Sequence, residues 1–223
     1  MSDLSVAVVM TAWDADRFIA DAITSVTAQT RPPTELVVID DGSTDGTADT
    51  AERLGATVLR CPHRGIGPSR NAGIAACDSD LIAFLDADDL WLPAKLERQV
   101  EVLAGDATVD AALCLTDEFL DRPAGADLAV REPRLGVASP IPSSTVVRRD
   151  LVARVGGFAE VPVGDWVHWW ARVRRSGALE HVVPEVLVRR RIHDANNSAR
   201  RHDGGAQFLA IVRQHRRERQ GGS

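Results

Sequence analysis

Apolar residues fall along the first hundred positions in short blocks, and their spacing changes from block to block. Val6 to Met10 is an unbroken apolar run rich in valine, the pattern of a strand buried on both faces. Phe18, Ile19, Ala22, Ile23 and Val26 then recur at helical spacing, with Asp14 or Asp16 placed to cap that helix. Arg31, Pro32 and Pro33 break it. Glu35 to Asp40 reads as a second buried strand, and the polar turn from Asp41 to Gly46 opens a helix that runs through Arg53 to Gly55. Thr57 to Cys61 is a third strand, and Gly65 leads into a helix of small residues ending at Ala76. Leu81 to Leu85 is a fourth apolar run, followed from Pro93 to Leu103 by another helical pattern.

Strands alternating with helices at this spacing predict βαβ units and a mostly parallel sheet, an α/β fold. After Ala111 to Leu115 the rhythm changes. Positions 121 to 142 are rich in Pro, Gly and Asp without periodicity and predict a long loop. Ser144 to Val147 reads as a strand, and Asp150 to Val155 as a short helix stopped by Gly156 and Gly157. Asp165 to Arg175 is an amphipathic helix with Trp166, Trp169 and Trp170 on one face, where core packing is expected of at least two. Leu179 to His193 is largely extended, and Ala206 to Arg219 predicts a terminal helix. No internal repeat is present.

Composition adds bounds. The 223 residues, 44% hydrophobic and 26% charged, suit one large domain or a domain with an appended portion. No apolar run reaches the roughly 20 residues of a membrane span. No basic stretch followed by an apolar segment opens the chain, so a cytoplasmic location is expected. Cys61, Cys77 and Cys114 are odd in number and lie in apolar surroundings, which points to reduced thiols and away from a zinc site. The net charge of −6 conceals an asymmetry. From Arg189 onward nine arginines face Asp194, Asp203 and Glu218, a balance of +6; the rest carries 17 basic against 29 acidic residues, or −12. An acidic body with few aromatics argues against nucleic acid, while the basic tail suits peripheral contact with an anionic inner membrane face or a phosphate-bearing partner.

The chemistry concentrates just after the predicted strands: Thr11 to Asp14, Asp40 to Asp45, Gly65 to Asn71, and Asp86 to Asp89. In a parallel sheet these positions share one edge, where such folds bind ligands. Asp86, Asp88 and Asp89 are three carboxylates in four positions, and they repel one another unless a cation sits among them. A hard divalent ion that itself holds phosphates meets that need. A helix needs only one of these acids as a cap, and Asp88 or Asp89 is placed to serve. Neither a G-x-G-x-x-G turn nor a G-x-x-x-x-G-K-[ST] loop is present, and Lys95 is the only lysine, so dinucleotide-fingerprint and P-loop readings fall.

Four blocks carry a resemblance: Val8 to Trp13, Val38 to Asp45, Gly67 to Gly73, and Phe84 to Pro93. In order and spacing over residues 5 to 105 they resemble family 2 glycosyltransferases of the GT-A fold. Arg148 to Phe158, and Gly164 with Asp165 opening a tryptophan-bearing helix, match more loosely. The resemblance implies a metal-dependent, inverting transfer of sugar from a nucleotide-sugar, most often UDP-linked, to a hydroxyl acceptor. It implies a donor half over residues 1–110, an acceptor-side portion over 111–200 and an appended tail from 201 to 223. Thr11, Ala12, Trp13, Asp14 and Asp41 fall in the segments that hold the nucleotide base; Trp13 suits stacking there, or a place in the core. Arg70 falls near base and diphosphate, and Asp86 and Asp88 in the region binding ribose and metal. Asp88 and Asp89, with His193 after the last strand, are the favoured ligands for Mn²⁺ or Mg²⁺. Asp165 matches the general base, with a plain helix cap as its other reading; Gly164 stands where the family more often has Glu. Two rival functions are a catalytically idle nucleotide-sugar-binding partner and a sugar nucleotidyltransferase. The latter wants a glycine-rich basic loop after the first strand, which Thr11 to Asp14 lacks.

Overall fold

Strand β1 (Val6–Ala12) is buried at every position, because it lies mid-sheet with helices on both faces. Val6, Val8, Met10 and Ala12 enter one apolar layer, and Ala7 and Val9 enter the other, as strand alternation requires. The computed structural model of the chain describes residues 3–121, 133–161 and 164–193. The expected helix over 206–219, the basic tail and positions 122–132 of the long loop lie outside the described residues.

Helix α1 (Asp16–Thr27) follows β1, then β2 (Glu35–Asp40), α2 (Thr47–Arg53), β3 (Thr57–Arg60), α3 (Ile66–Ala75) and β4 (Leu81–Asp86). Next come β5 (Leu90–Trp91), α4 (Lys95–Gly105), β6 (Val109–Leu120) and β7 (Val137–Ala138). A short 3-10 turn, Pro142–Ser144, leads to β8 (Thr145–Arg148), α5 (Arg149–Val155), α6 (Asp165–Arg175) and β9 (Leu179–Ile192). The strands form one sheet in the order β3-β2-β1-β4-β8-β6-β9-β5, with β7 beside β6. Pairing is parallel from β3 to β4 and again between β6 and β9. Strands β8, β5 and β7 pair antiparallel, so the expected parallel arrangement describes the first half and the second half is mixed.

One face of the sheet packs on α1 and α4 through Ile19, Ile23, Leu96 and Val100. The other meets α5 and α6 through Leu151, Trp169 and Val173. Helix α3 lies so close to the sheet that a Cβ on Gly73 would collide with Val9 and Ile39. Neither Asp14 nor Asp16 caps α1. The N–H groups at its start are taken by residues around the start of α2, with Ala15 N donating to Thr47 Oγ1 at 2.8 Å and Asp16 N to Asp45 Oδ2 at 3.1 Å. Nor does Asp88 or Asp89 cap α4, whose N-cap is Ala94 without a side-chain bond. Among the described residues no helix is long and apolar enough to cross a membrane.

Candidate active site

Register builds the site's floor. Thr11 pairs with Asp86 across β1 and β4, and Ala12 with Asp40 across β1 and β2. The loops leaving these strands therefore start from one sheet edge, and Asp41 N donates to Ala12 O at 2.9 Å to hold two of them together.

On the β1–β2 side, Asp14 takes a positive φ of 45°. Its carboxylate accepts from Thr44 N at 2.8 Å, and its own N–H donates to Ser43 Oγ. That carboxylate fixes the turn from Asp41 to Thr44. Asp41 is buried and accepts from the backbone N–H groups of Arg64 and Gly65, each at 2.9 Å. Trp13 is not in the core: it is 43% exposed, with His63 stacked on it at 4.6 Å between centroids.

The centre is Arg70. Helix α3 carries it into the interior, where it is 3% exposed and donates from Nη2 to Asp86 Oδ1 at 2.8 Å and from Nη1 to Asp165 Oδ2. One guanidinium thus offsets two carboxylates, a geometry its planar fork supports. Its Cζ also lies 5.5 Å from the Trp166 ring centroid. Three features hold Asp165 there. Gly67 gives room, since a Cβ would collide with Ala159 O. Asn71 clamps the preceding loop, accepting from Phe158 N at 2.7 Å and donating to Phe158 O at 2.8 Å. Gly164 sits at φ 80°, a left-handed conformation that costs a side-chain-bearing residue roughly 1 kcal/mol, which accounts for glycine there. Asp165 is the first residue of α6, and the helix has no side-chain cap; the carboxylate turns to Arg70.

Across the β4–β5 turn, His193 Nε2 lies 3.1 Å from Asp88 Oδ2. Asp89 points elsewhere. It is buried, accepting from Ser143 Oγ at 2.6 Å and from Arg191 N at 3.0 Å, and so braces the turn against β9. Burial, then the neighbouring Asp88 and Asp86, raise its carboxyl well above the ordinary value, against the bonds from Ser143 and Arg191. Loss of hydration also raises Asp86, which Arg70 opposes. Among the described residues no group of three or more His, Cys, Asp or Glu side chains is arranged to hold a metal. Asp88 and His193 supply one oxygen and one nitrogen donor. That pair leaves most of a divalent ion's shell to phosphate oxygens and water.

All three tryptophans of α6 are core residues: Trp166 and Trp169 pack with Phe84 and Phe158, and Trp170 stacks on Trp166. Three residues near the site were given no role from sequence. Ser143 is a hub: its Oγ donates to Asp89 and accepts from Asp86 N at 3.2 Å, and its carbonyl accepts from Trp91 Nε1 at 2.8 Å. A serine in an aperiodic loop gives no sequence signal of this. Asn71 stood inside a quoted block, and His63 just before one.

Comparisons with known proteins identify the family and the fold. The family model described as glycosyl transferase family 2 matches residues 7–125. An uncharacterized glycosyltransferase of Nostoc sp. is 31% identical over 227 residues, covering 87% of this chain and 66% of the relative. An Escherichia coli UDP-Glc:alpha-D-GlcNAc-diphosphoundecaprenol beta-1,3-glucosyltransferase is 32% identical over 107 residues, 46% of this chain and 42% of that protein. The chain thus spans two thirds or less of these relatives. In fold it is similar to S. aureus TarS 1-349, solved with UDP-GlcNAc, with a TM-score of 0.75 at 16% identity, over 95% of this chain and 65% of that one. It is equally similar, at TM-score 0.75 and 22% identity, to a Pyrobaculum calidifontis mannosyltransferase solved with GDP-Man and Mn²⁺, over 96% of this chain and 65% of that one. The architecture is the GT-A fold, and the chain belongs to glycosyl transferase family 2.

Proposed function

We propose that this chain carries the catalytic site of a metal-dependent, inverting glycosyltransferase that moves a sugar from a nucleotide-sugar, UDP-linked in our reading, to a hydroxyl acceptor. The observation that carries the reading is the Asp86–Arg70–Asp165 arrangement, which brings the donor edge of the sheet and a buried carboxylate of α6 to one point. Asp165 is the general base. The acceptor oxygen attacks the anomeric carbon, the bond from that carbon to the diphosphate oxygen breaks, and the hydroxyl proton passes to Asp165. Arg70 positions Asp165 and lies beside the diphosphate path.

Thr11, Ala12, Trp13 and Asp41 receive the base, with Asp14 acting through the turn it holds, and Asp86 receives the ribose. Asp88 and His193 hold the divalent ion, which when bound offsets the charge developing on the leaving diphosphate. Asp89, committed to Ser143 and Arg191, serves this group as a brace in the structure described. The acceptor site falls to the portion after residue 110. The neighbours solved with UDP-GlcNAc and with GDP-Man and Mn²⁺ support a nucleotide-sugar donor and a metal as classes.

Asp165→Asn tests the base. Sugar transfer, or slow donor hydrolysis where no acceptor is supplied, is expected to fall by roughly 10²–10⁴-fold, with nucleotide affinity within about twofold of wild type. Retention of most activity would remove Asp165 from the chemistry.

A further inference from the structure

We infer that His63 sets nucleotide affinity, because its imidazole occupies the two contacts a nucleobase would use. This rests on the donor reading above and adds a residue to it. The ring stacks on Trp13 at an interplanar angle of 29°. Its Nδ1 lies 2.9 Å from the Asp41 carbonyl oxygen and 2.9 Å from Asp41 Oδ2. A ring nitrogen facing two acceptors carries the proton, so Nδ1–H is the donor.

A carboxylate offers about four lone-pair positions. At Asp41 two are taken by the N–H groups of Arg64 and Gly65 and a third faces His63. The backbone bonds belong to a packed loop. Gly42 turns at φ 78°, and a Cβ there would come within 2.8 Å of His63 N. The imidazole is the replaceable partner: its side chain is 54% exposed and swings on its own torsions without moving that backbone.

A base lying on Trp13 with a ring N–H toward Asp41 makes the same stack and the same hydrogen bond. On that face of Trp13 and at Asp41 Oδ2, base and imidazole therefore exclude each other. Uracil and guanine carry such a ring N–H. The corresponding nitrogen of cytosine or adenine is an acceptor and would face the Asp41 lone pairs, so the contact that His63 guards also selects the base. Affinity for a nucleotide is then reduced by the fraction of time His63 is in place.

Calorimetry with UDP, GDP and inorganic pyrophosphate, each with Mn²⁺, on wild type and His63→Ala tests this. The better of the two nucleotides is expected to bind the variant roughly five- to tenfold more tightly, as for a ring in place most of the time, with pyrophosphate unchanged. His63→Gln, which keeps an N–H for Asp41 without a ring, falls between. Unchanged or weaker nucleotide binding in His63→Ala overturns the inference, the weaker case making His63 part of the base platform. A parallel change in pyrophosphate binding also overturns it, since that reports a loosened loop. If neither folded protein binds any of the three, the donor reading fails and takes the inference with it.

Discussion

Lys95, the only lysine in the chain, is fully buried. Among the described residues its Nζ has no hydrogen-bond partner, and it lies 3.9 Å from the centroid of the Trp91 ring. Burial pulls its pKa down from 10.5 to about 8. A lysine with a depressed folded pKa weakens the fold wherever it must stay charged. Below pH 8 it is protonated in both states and the cost is constant. Between about 8 and 10.5 the unfolded chain binds more protons, so stability rises with pH there. Lys95→Met is therefore expected to stabilise the protein at pH 7 by about 1.5–3 kcal/mol, the pKa gap less the lost cation–π contact. Urea unfolding at pH 7 and pH 10 checks this: the variant's advantage should shrink at the higher pH. The buried thiols Cys77 and Cys114, pushed up to about 11, oppose the trend but are present in both proteins. At this scale the sequence named Arg70, Asp86 and Asp165 as separate members of motifs. That one guanidinium joins the two acids was not legible, because positions 70 and 165 meet only through tertiary packing.

Elements show the same division between local and distant information. Helices α1, α4 and α6 and strands β1, β2 and β4 were readable because their periodicity follows directly from which face is buried. Their ends were less so. The start of α1 is held by Asp45 in the loop before α2 and by Thr47 at the first position of α2, and no local cap pattern encodes that. The parallel pairing of β6 with β9 joins segments separated by β7, β8, α5 and α6, and the two-residue β5 exists only because β9 pairs with it. Helix α3 had few apolar residues to announce it, since small ones bring it close to the sheet. Gly73→Ala would drive a Cβ into Val9 and Ile39, and overpacking of this kind typically costs about 1–3 kcal/mol. A thermal melt showing the variant as stable as wild type would mean that α3 can lift off β1 and β2 without penalty.

At the scale of the whole molecule, a mixed sheet between two helical layers brings loops from β1, β2 and β4 to one edge, and α6 delivers Asp165 to it from the far half of the chain. The fold class and the sheet edge where these loops gather were legible because four motif blocks follow four strands in order. The topology after residue 110 was not, since it depends on long-range pairing that leaves no periodic trace. On the proposed function, this edge holds a nucleotide diphosphate together with a divalent ion. Calorimetric titration of UDP, GDP and dTDP, each with and without Mn²⁺, tests it most directly. At least one nucleotide is expected to bind, roughly tenfold or more tightly with the metal, because ion and diphosphate would share a shell. A folded protein that binds none of the three, or binds them equally well with and without Mn²⁺, would contradict it.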